Sequence, residues 1–333
     1  MLSEEFMDAL VLHGENAPFI RERVRRPQPT EGQVLVRVMA SGVNPLDLKI
    51  RSGNAPHAKH PFPAILGLDL AGVVESVGSG VTAFSQGDEV YALGGGVGGL
   101  QGSLAQFAAV DAALLAPKPE NLSMREAAAL PLVFITAWEG LVDRAQLQAR
   151  QKVLVQGAGG VGNMVIQIAR AFGAEVFAVD RVAKKSHIEK LGATAIDYQQ
   201  TPVEEYVDNH TGGRGFDLIY DTVGGTALDA SFKAIKRFGH VVSCLGWGTH
   251  SLAPLSFRAA TYSGVFTLLP LLTGEGRERH GEILREATRL VEAGEIKPLI
   301  DPRKFTLEST DDAHRQIDTR RADGKIVIGV ENE

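Results

Sequence analysis

A glycine-rich hexapeptide is the feature that most constrains how this chain can fold. Residues 157–162 read Gly-Ala-Gly-Gly-Val-Gly, directly after the apolar run at 153–155 and before a segment with helical apolar spacing to about residue 172. A strand, a glycine turn and a helix in this order bring unpaired N–H groups to the helix N-terminus, where they bind an anion. A glycine turn without a ligand is the alternative. The order predicts the phosphate-binding turn of a dinucleotide-binding Rossmann fold, formed by Gly157, Gly159, Gly160, Val161 and Gly162.

The residues after the next apolar run bear on which dinucleotide is bound. Asp180 ends that run, where a carboxylate can accept hydrogen bonds from an adenosine ribose, a pattern that favours NAD(H). Arg181, Lys184 and Lys185 follow at once and can neutralise the 2′-phosphate of NADP(H). Each of these basic residues is also ordinary on a surface helix. The residues alone therefore leave NAD(H) and NADP(H) as alternatives.

Short apolar runs alternate with helical patterns through the middle of the chain. The runs lie at residues 153–155, 176–179, 216–220 and 241–245. Such alternation is typical of βαβ units, which form a parallel sheet with helices on both faces. The middle of the chain is therefore predicted to be a doubly wound α/β domain.

The two ends of the chain resemble each other more than they resemble this middle part. Short β-type runs such as 71–77 dominate before residue 117, an Ala- and Leu-rich helical stretch follows at 124–141, and short strands return after residue 298. We therefore predict a Rossmann dinucleotide-binding domain inserted into a β-rich substrate-binding domain. The expected boundaries are 1–123 for the first part of the β-rich domain, 124–298 for the Rossmann domain and 299–333 for the return.

Composition excludes several classes of partner. The formal net charge of −6 gives no general electrostatic reason to bind nucleic acid or an anionic membrane surface. A single cysteine, Cys244, excludes an intrachain disulfide and thiolate-rich zinc sites, and it indicates a reducing compartment. Residues 262–272, the most apolar later stretch, are too short to span a bilayer, and residues 1–12 contain no long apolar run. We expect a cytoplasmic protein that acts on a small molecule.

Several motifs together resemble one superfamily. Besides the glycine loop, they are Gly-Val-Asn-Pro-Leu-Asp at 42–47, Gly-Leu-Asp-Leu-Ala-Gly at 67–72, Asp-Thr-Val-Gly-Gly at 221–225 and Gly-Lys at 324–325. The chain resembles the medium-chain dehydrogenase/reductase superfamily, and within it the zinc-free quinone oxidoreductases related to zeta-crystallin. This resemblance implies a chaperonin-10-like catalytic domain around the Rossmann insertion. It also implies a homodimer joined through the edge of the Rossmann sheet near residues 265–269, where an exposed apolar strand is expected.

The resemblance also implies which further residues lie near the cofactor. Lys184 and Tyr198 match positions that relatives use for the 2′-phosphate, whereas Asp180 departs from the small residue usual in NADPH-using relatives. Gly246 and Thr267 are expected at the nicotinamide end of the cofactor. The set implied by resemblance is Thr136, Gly159, Gly160, Val161, Lys184, Tyr198, Gly246 and Thr267.

The residues at two zinc-ligand positions imply chemistry without a metal. In zinc-dependent relatives the position of Asn44 is a cysteine and that of Leu68 is a histidine. A zinc ion is what polarises the oxygen in alcohol oxidation. Quinones and α,β-unsaturated carbonyls, in contrast, accept hydride at an already electrophilic carbon. We therefore expect NAD(P)H-dependent reduction of a quinone or an α,β-unsaturated carbonyl.

Three residues of one short segment are the candidate catalytic groups. The Asn44 amide can donate to a developing oxyanion, although asparagine before proline is also ordinary turn chemistry. Asp47 is expected to orient this loop, or to have a surface or capping role. Lys49 offers a positive charge to an oxyanion or points into water. The alternative function is a cofactor-binding structural or sensing protein without turnover, because a nucleotide loop reports binding alone.

Overall fold

The computed structural model of the chain describes residues 5–331. Residues 1–4, part of the N-terminal segment expected to carry no targeting signal, and residues 332–333 lie outside the described residues. The chain folds into two compact units, one of which is Val133–Thr267. We call it the inserted unit, and the described residues before and after it the flanking unit. The predicted insertion of an α/β domain into a β-rich one is confirmed.

The strands and helices are numbered in chain order. The strands are β1 (Phe6–Val11), β2 (Ile20–Arg25), β3 (Gln33–Gly42), β4 (Asp69–Val77), β5 (Glu89–Leu93), β6 (Phe107–Asp111), β7 (Ala116–Pro117), β8 (Lys152–Gln156), β9 (Glu175–Asp180), β10 (Thr194–Asp197), β11 (Phe216–Asp221), β12 (Ile235–Ser243), β13 (Thr261–Gly264), β14 (Phe305–Thr306) and β15 (Val327–Gly329). The α-helices are α1 (Pro45–Arg51), α2 (Met124–Ala127), α3 (Pro131–Trp138), α4 (Gly160–Ala171), α5 (Lys185–Lys190), α6 (Val203–Thr211), α7 (Thr226–Ala234), α8 (Ala253–Ser256), α9 (Leu269–Thr273), α10 (Arg277–Glu292) and α11 (Thr310–Asp318). Glu139–Arg144 is a π-helix, and short 3-10 turns lie at Pro56–Ala58, Ala112–Leu114, Val182–Lys184 and Leu307–Ser309.

The inserted unit contains a six-stranded parallel sheet in the order β10-β9-β8-β11-β12-β13. Its central strand β8 is buried at Val153, Leu154 and Val155, as expected for a strand covered on both faces. Because all six strands run the same way, their carboxyl ends meet along one edge of the sheet. We call this edge the carboxyl edge; ligands of such sheets bind there.

The flanking unit contains a seven-stranded sheet. Its order is β14-β15-β3-β4-β5-β7, with β6 pairing with β3, and β1 and β2 form a separate hairpin. Antiparallel pairing of β15 with β3 sets Val327 opposite Gly42. The C-terminal strand therefore delivers the residues just before it to the loop that follows β3.

The stretch at 124–141, expected to be helical throughout, is divided. Helix α2 begins with a capping box of Ser123 and Glu126, and α3 begins at Pro131 and continues into the π-helix. A proline has no N–H and disfavours helical backbone at the residue before it. The break between α2 and α3, residues 128–130, therefore ends directly before Pro131.

The inserted unit is shorter than the 124–298 expected from the sequence. Helix α10 belongs to the flanking unit, because Tyr91 Oη donates to Leu284 O at 2.6 Å and Thr288 Oγ1 donates to Pro117 O at 2.8 Å. A Cβ on Gly281 would lie 2.4 Å from Ala113 O, so this helix sits tightly against the backbone of the flanking unit. An amphipathic helix after the last Rossmann strand does not show in sequence which core it covers.

Candidate functional site

The glycine loop is tightly packed at Gly162, and at Gly159 it has open space beside it. Gly157 has φ 84°, a left-handed conformation that glycine adopts without strain, and a Cβ on Gly162 would lie 1.8 Å from Gly157 O. A Cβ on Gly159, in contrast, would meet nothing within 4 Å. Gly160, Val161 and Gly162 form the first turn of α4. The loop therefore fits a pyrophosphate, with space at Gly159 and helix N–H groups behind it.

Asp180 lies at the carboxyl end of β9 and contacts the glycine loop. Its Oδ2 accepts from Ala158 N at 2.7 Å, and its Oδ1 accepts from Arg181 N at 2.7 Å. A carboxylate has about four acceptor positions, so hydroxyl donors of a ribose can still bind. Asp180 thus joins the loop to the neighbouring strand in addition to its expected contact with the ribose.

The residues expected at the 2′-phosphate lie around the ends of β9 and β10. Lys184 is half-buried in the Val182–Lys184 turn, and its N–H donates to Arg181 O at 2.8 Å. Arg181 is exposed. Tyr198 N donates to Asp180 O at 3.4 Å, and the Tyr198 side chain is 54% exposed. The fold therefore brings these residues together beside Asp180.

Asp221, the first residue of the Asp-Thr-Val-Gly-Gly motif, organises the centre of the carboxyl edge. It is fully buried and accepts from Val223 N at 3.1 Å, Gly224 N at 3.0 Å and Ser243 Oγ at 2.7 Å. These bonds join the end of β11 to the end of β12 and shape the loop between β11 and α7. An aspartate at a strand end, followed closely by Gly-Gly, was the available signal for this role.

Two hydroxyls and one carboxylate form a cluster between the end of α3 and the residues that follow β13. Thr136 and Thr267 are buried, and their Oγ1 atoms are 3.0 Å apart. Thr267 Oγ1 donates to Glu139 Oε2 at 2.9 Å. Gly246 follows β12, where a Cβ would lie 2.1 Å from Tyr262 Oη. Glu139 cannot be identified from the sequence, because a glutamate in a helical stretch has no distinguishing pattern.

In the flanking unit, Asn44 is the centre of a buried polar cluster. Its Nδ2 donates to Asp69 Oδ2 at 2.9 Å, and its Oδ1 accepts from Lys325 Nζ. Lys325 Nζ also donates to Asp69 Oδ2 at 3.0 Å, and its side chain is only 9% exposed. The sequence places Lys325 in a motif but assigns it no role. Only the pairing of β15 with β3 brings it to Asn44.

Asp47 caps α1 from inside the unit and is not a surface residue. Its Oδ2 accepts from Asn44 N at 2.8 Å, and its Oδ1 accepts from Gly67 N at 3.2 Å. Burial raises the pKa of Asp47 to about 7, and the nearby Asp69 carboxylate adds to the rise. Lys49 lies exposed on the same helix. The structure therefore buries Asp47 against the backbone of its loop and leaves Lys49 facing solvent.

The zinc-ligand positions carry side chains committed to other contacts. Leu68 is completely buried, and Asn44 is held by Asp69 and Lys325. Within residues 5–331, no three or more His, Cys, Asp or Glu side chains are grouped so that they could hold a metal ion. Absence of zinc from the purified protein stays a prediction.

The exposed strand expected at residues 265–269 is not present. The edge strand β13 ends at Gly264, and Val265, Thr267 and Leu268 are buried. The Thr267 hydroxyl is held by Glu139, so the chain turns inward after the strand. The free edge of the sheet is therefore Thr261–Gly264.

Among the helices of residues 5–331, none has the length and apolar content to cross a membrane.

Comparison with known proteins gives matches across the chain. Residues 30–120 match a family described as alcohol dehydrogenase GroES-like domain, and residues 191–328 match one described as zinc-binding dehydrogenase. A 2-methylene-furan-3-one reductase of Solanum lycopersicum is 38% identical over 93% of this chain and 74% of its own length. An NADPH-dependent alkenal/one oxidoreductase of Arabidopsis thaliana, named as chloroplastic, is 36% identical over 91% of this chain and 73% of its own length.

Two further matches extend over nearly whole proteins. A quinone oxidoreductase of Rattus norvegicus is 33% identical over 87% of both chains. The crystal structure of an alcohol dehydrogenase superfamily protein from Novosphingobium aromaticivorans superimposes with a TM-score of 0.96 and 59% identity, covering 98% of this chain and 100% of that one. The resemblance drawn from the motifs is confirmed: the chain belongs to the medium-chain dehydrogenase/reductase superfamily, alongside the quinone and alkenal/one oxidoreductases.

Proposed function

We propose that the chain transfers hydride from NAD(P)H to a quinone or to the double bond of an α,β-unsaturated carbonyl, without zinc. The observation that carries the proposal is the glycine loop at the N-terminus of α4, open at Gly159. Relatives of the chain are named as a 2-methylene-furan-3-one reductase, an alkenal/one oxidoreductase and a quinone oxidoreductase. The bound nicotinamide would supply the hydride. The residues of the chain would hold the two reactants and stabilise the charge that develops on the acceptor oxygen.

In this proposal Asn44 meets the developing oxyanion. Lys325 Nζ can only donate, so the Asn44 carbonyl oxygen faces it and the amide nitrogen faces Asp69. One amide hydrogen is used by Asp69, whereas the second makes only a long contact of 3.5 Å with Gly42 O. A substrate oxygen would accept that second hydrogen. Asp47 would orient the loop through its bond with Asn44 N, and Lys49, exposed on α1, would add positive charge only from the solvent side.

We further propose that NADP(H) is the preferred cofactor. The basic residues Arg181 and Lys184, together with Tyr198, lie around Asp180, where they can bind a 2′-phosphate. One relative is named as NADPH-dependent. A cytoplasmic location and a homodimer joined through β13 complete the proposal. They are supported by the single cysteine and by the free strand edge at Thr261–Gly264.

A substrate panel tests the proposed function. With NADPH or NADH, we expect simple quinones or α,β-unsaturated ketones to be reduced much faster than saturated alcohols are oxidised with the oxidised cofactor. Activity should persist in a strong chelator, and metal analysis should find no stoichiometric zinc. Chelator-sensitive alcohol oxidation with one zinc per chain would overturn the proposal. Tight cofactor binding without turnover of any acceptor would favour the sensing alternative.

The role of Asn44 predicts a selective kinetic defect. Asn44→Ala should lower kcat/KM for the acceptor, because the loss of one oxyanion donor removes about 1–3 kcal/mol of transition-state stabilisation. Affinity for the cofactor should change little. Asn54→Ala, which removes an exposed asparagine of the same unit, serves as the control. An equal loss in both variants, or a loss of cofactor affinity alone, would contradict the assignment.

A further inference from the structure

In the inserted unit, the Glu139 carboxylate accepts a hydrogen bond from the Thr267 hydroxyl near the carboxyl edge of the sheet. Glu139 is the first residue of the π-helix that follows α3, and its Oε2 accepts from Thr267 Oγ1 at 2.9 Å. Three residues earlier, in α3, Thr136 Oγ1 is 3.0 Å from the same hydroxyl oxygen. The last turn of α3 is held in addition by Tyr220, whose hydroxyl donates to Thr136 O at 2.5 Å. The two threonines and Glu139 thus form one connected cluster.

The hydrogen bond to Glu139 fixes the direction of the Thr267 hydroxyl. Thr267 Oγ1 donates to Glu139 Oε2, so its single hydrogen points toward Glu139. With that hydrogen used, Thr267 Oγ1 can only accept, from Thr136 Oγ1 at 3.0 Å and from one further donor. A hydroxyl whose hydrogen is held in this way selects an N–H or O–H donor and disfavours a second acceptor.

The topology of the sheet sets which part of a dinucleotide reaches this hydroxyl. The pyrophosphate loop follows β8, and Asp180 at the end of β9 marks the adenosine side. The other half of the dinucleotide extends over β11, β12 and β13, after which Thr267 lies. Of the groups on that half, the nicotinamide carboxamide carries N–H donors.

We propose that Glu139 is a positioning residue which fixes Thr267 Oγ1 as an acceptor for the carboxamide N–H of the nicotinamide. The inference rests on the proposed function, because it requires a nicotinamide cofactor. A purely structural role for Glu139, holding residues 265–267 against α3, is the competing explanation. The two differ in one respect: only the proposed role distinguishes a cofactor with a carboxamide N–H from one without it.

Binding of a cofactor analogue separates these explanations. The dissociation constants of NADP⁺ and of its 3-acetylpyridine analogue, whose acetyl group replaces the carboxamide and has no N–H, are measured by calorimetry. The wild type is compared with Glu139→Met, Thr267→Val, the double variant and Glu139→Gln. Glutamine retains a carbonyl oxygen that can accept from Thr267, so it is the conservative rescue. Thermal denaturation of each variant reports folding.

We expect Glu139→Met and Thr267→Val each to weaken NADP⁺ by about two- to tenfold, the range for one hydrogen bond. The analogue should be almost unaffected, the double variant should be no weaker than Thr267→Val, and Glu139→Gln should bind NADP⁺ like the wild type. Equal weakening of NADP⁺ and the analogue, or additive losses in the double variant, would overturn the inference. Failure of the wild type to bind NADP⁺ or NAD⁺ would instead contradict the proposed function.

Discussion

Two buried carboxylates of the site, Asp69 and Asp221, are matched to hydrogen-bond donors within their own unit. Asp69 is fully buried, and it accepts from Lys325 Nζ, from Asn44 Nδ2 and from Leu132 N at 2.9 Å. A buried charge without such partners would cost several kcal/mol, so the Asp69–Lys325 pair also determines where Asn44 can point. The same holds for Asp221, whose carboxylate organises backbone at the carboxyl edge. Residues that do not touch the reactants therefore set the orientation of those that are expected to do so.

Replacement of Asp180 is expected to strengthen the preference for NADP(H). Asp180→Ser removes a ribose acceptor and a charge that repels a 2′-phosphate, so the ratio of the NAD⁺ and NADP⁺ dissociation constants should rise about tenfold. Calorimetry with both cofactors measures this ratio. Asp180→Asn keeps the shape of the side chain and should give an intermediate ratio. Equal weakening of both cofactors would show that Asp180 acts only by supporting the loop through Ala158.

The raised pKa of Asp47 predicts how stability depends on pH. Its pKa is about 7 in the fold against 3.8 for the free side chain, so the folded state holds a proton that the unfolded chain releases. The stabilising contribution is complete below about pH 4 and is lost as the pH rises to about 7. Asp69 and Lys325 are the charged groups that bear on the Asp47 carboxyl.

Urea denaturation at a series of pH values tests this dependence. Between about pH 4 and 7, the unfolding free energy of the wild type should fall relative to that of Asp47→Asn, which cannot ionise. Asp318→Asn, an exposed position at the end of α11, should show no such pH-dependent difference. Parallel curves for the wild type and Asp47→Asn would refute the assignment of a raised pKa.

At the scale of elements, the strand–turn–helix unit β8–α4 explains the nucleotide loop. Burial of β8 between its neighbours fixes the strand, and the buried face of α4 fixes the helix against the sheet. The turn between them must be short, which brings Gly162 against Gly157 O and leaves Gly159 at the open side. Each glycine of the motif therefore meets a different physical requirement.

Two alanine substitutions separate these requirements. In Gly162→Ala the new Cβ would lie 1.8 Å from Gly157 O, so we expect a loss of roughly 1–3 kcal/mol in unfolding free energy as well as weaker cofactor binding. In Gly159→Ala the Cβ meets nothing within 4 Å, so the melting temperature should be nearly unchanged while dinucleotide affinity falls. Wild-type affinity in Gly159→Ala would place the pyrophosphate elsewhere.

At the scale of the whole molecule, the sheet of the inserted unit has two edge strands. Strand β13 is one edge and β10 is the other. Phe238, in the first half of β12, and Phe257, just before β13, are 81% and 85% exposed, and Phe238 N donates to Arg258 O at 2.8 Å. An open strand edge with exposed aromatic residues beside it is suited to pairing with a second copy.

A charge on each edge strand tests the proposed homodimer. Thr261→Glu places a carboxylate on β13, and two such charges would repel across a symmetric contact, so sedimentation should shift toward the monomer. Thr194→Glu makes the same change on the exposed side of β10 and should leave the dimer intact. A wild-type monomer, or equal effects of both variants, would contradict an interface at β13.

The sequence by itself determined the parts of this protein that depend on local order. The strand, the glycine turn and the helix around residue 157 are adjacent in the chain, so their pattern predicted both the Rossmann unit and its ligand class. The expectation of zinc-free chemistry came from the resemblance, which matches Asn44 and Leu68 to zinc-ligand positions of zinc-dependent relatives. Tertiary structure decided what depends on long-range pairing. It assigned α10 to the flanking unit, buried Asp47, brought Lys325 to Asn44 through β15 and β3, and joined Glu139 to Thr267. Hydrogen bonds between residues far apart in the chain follow from strand order and register, and no local pattern encodes them.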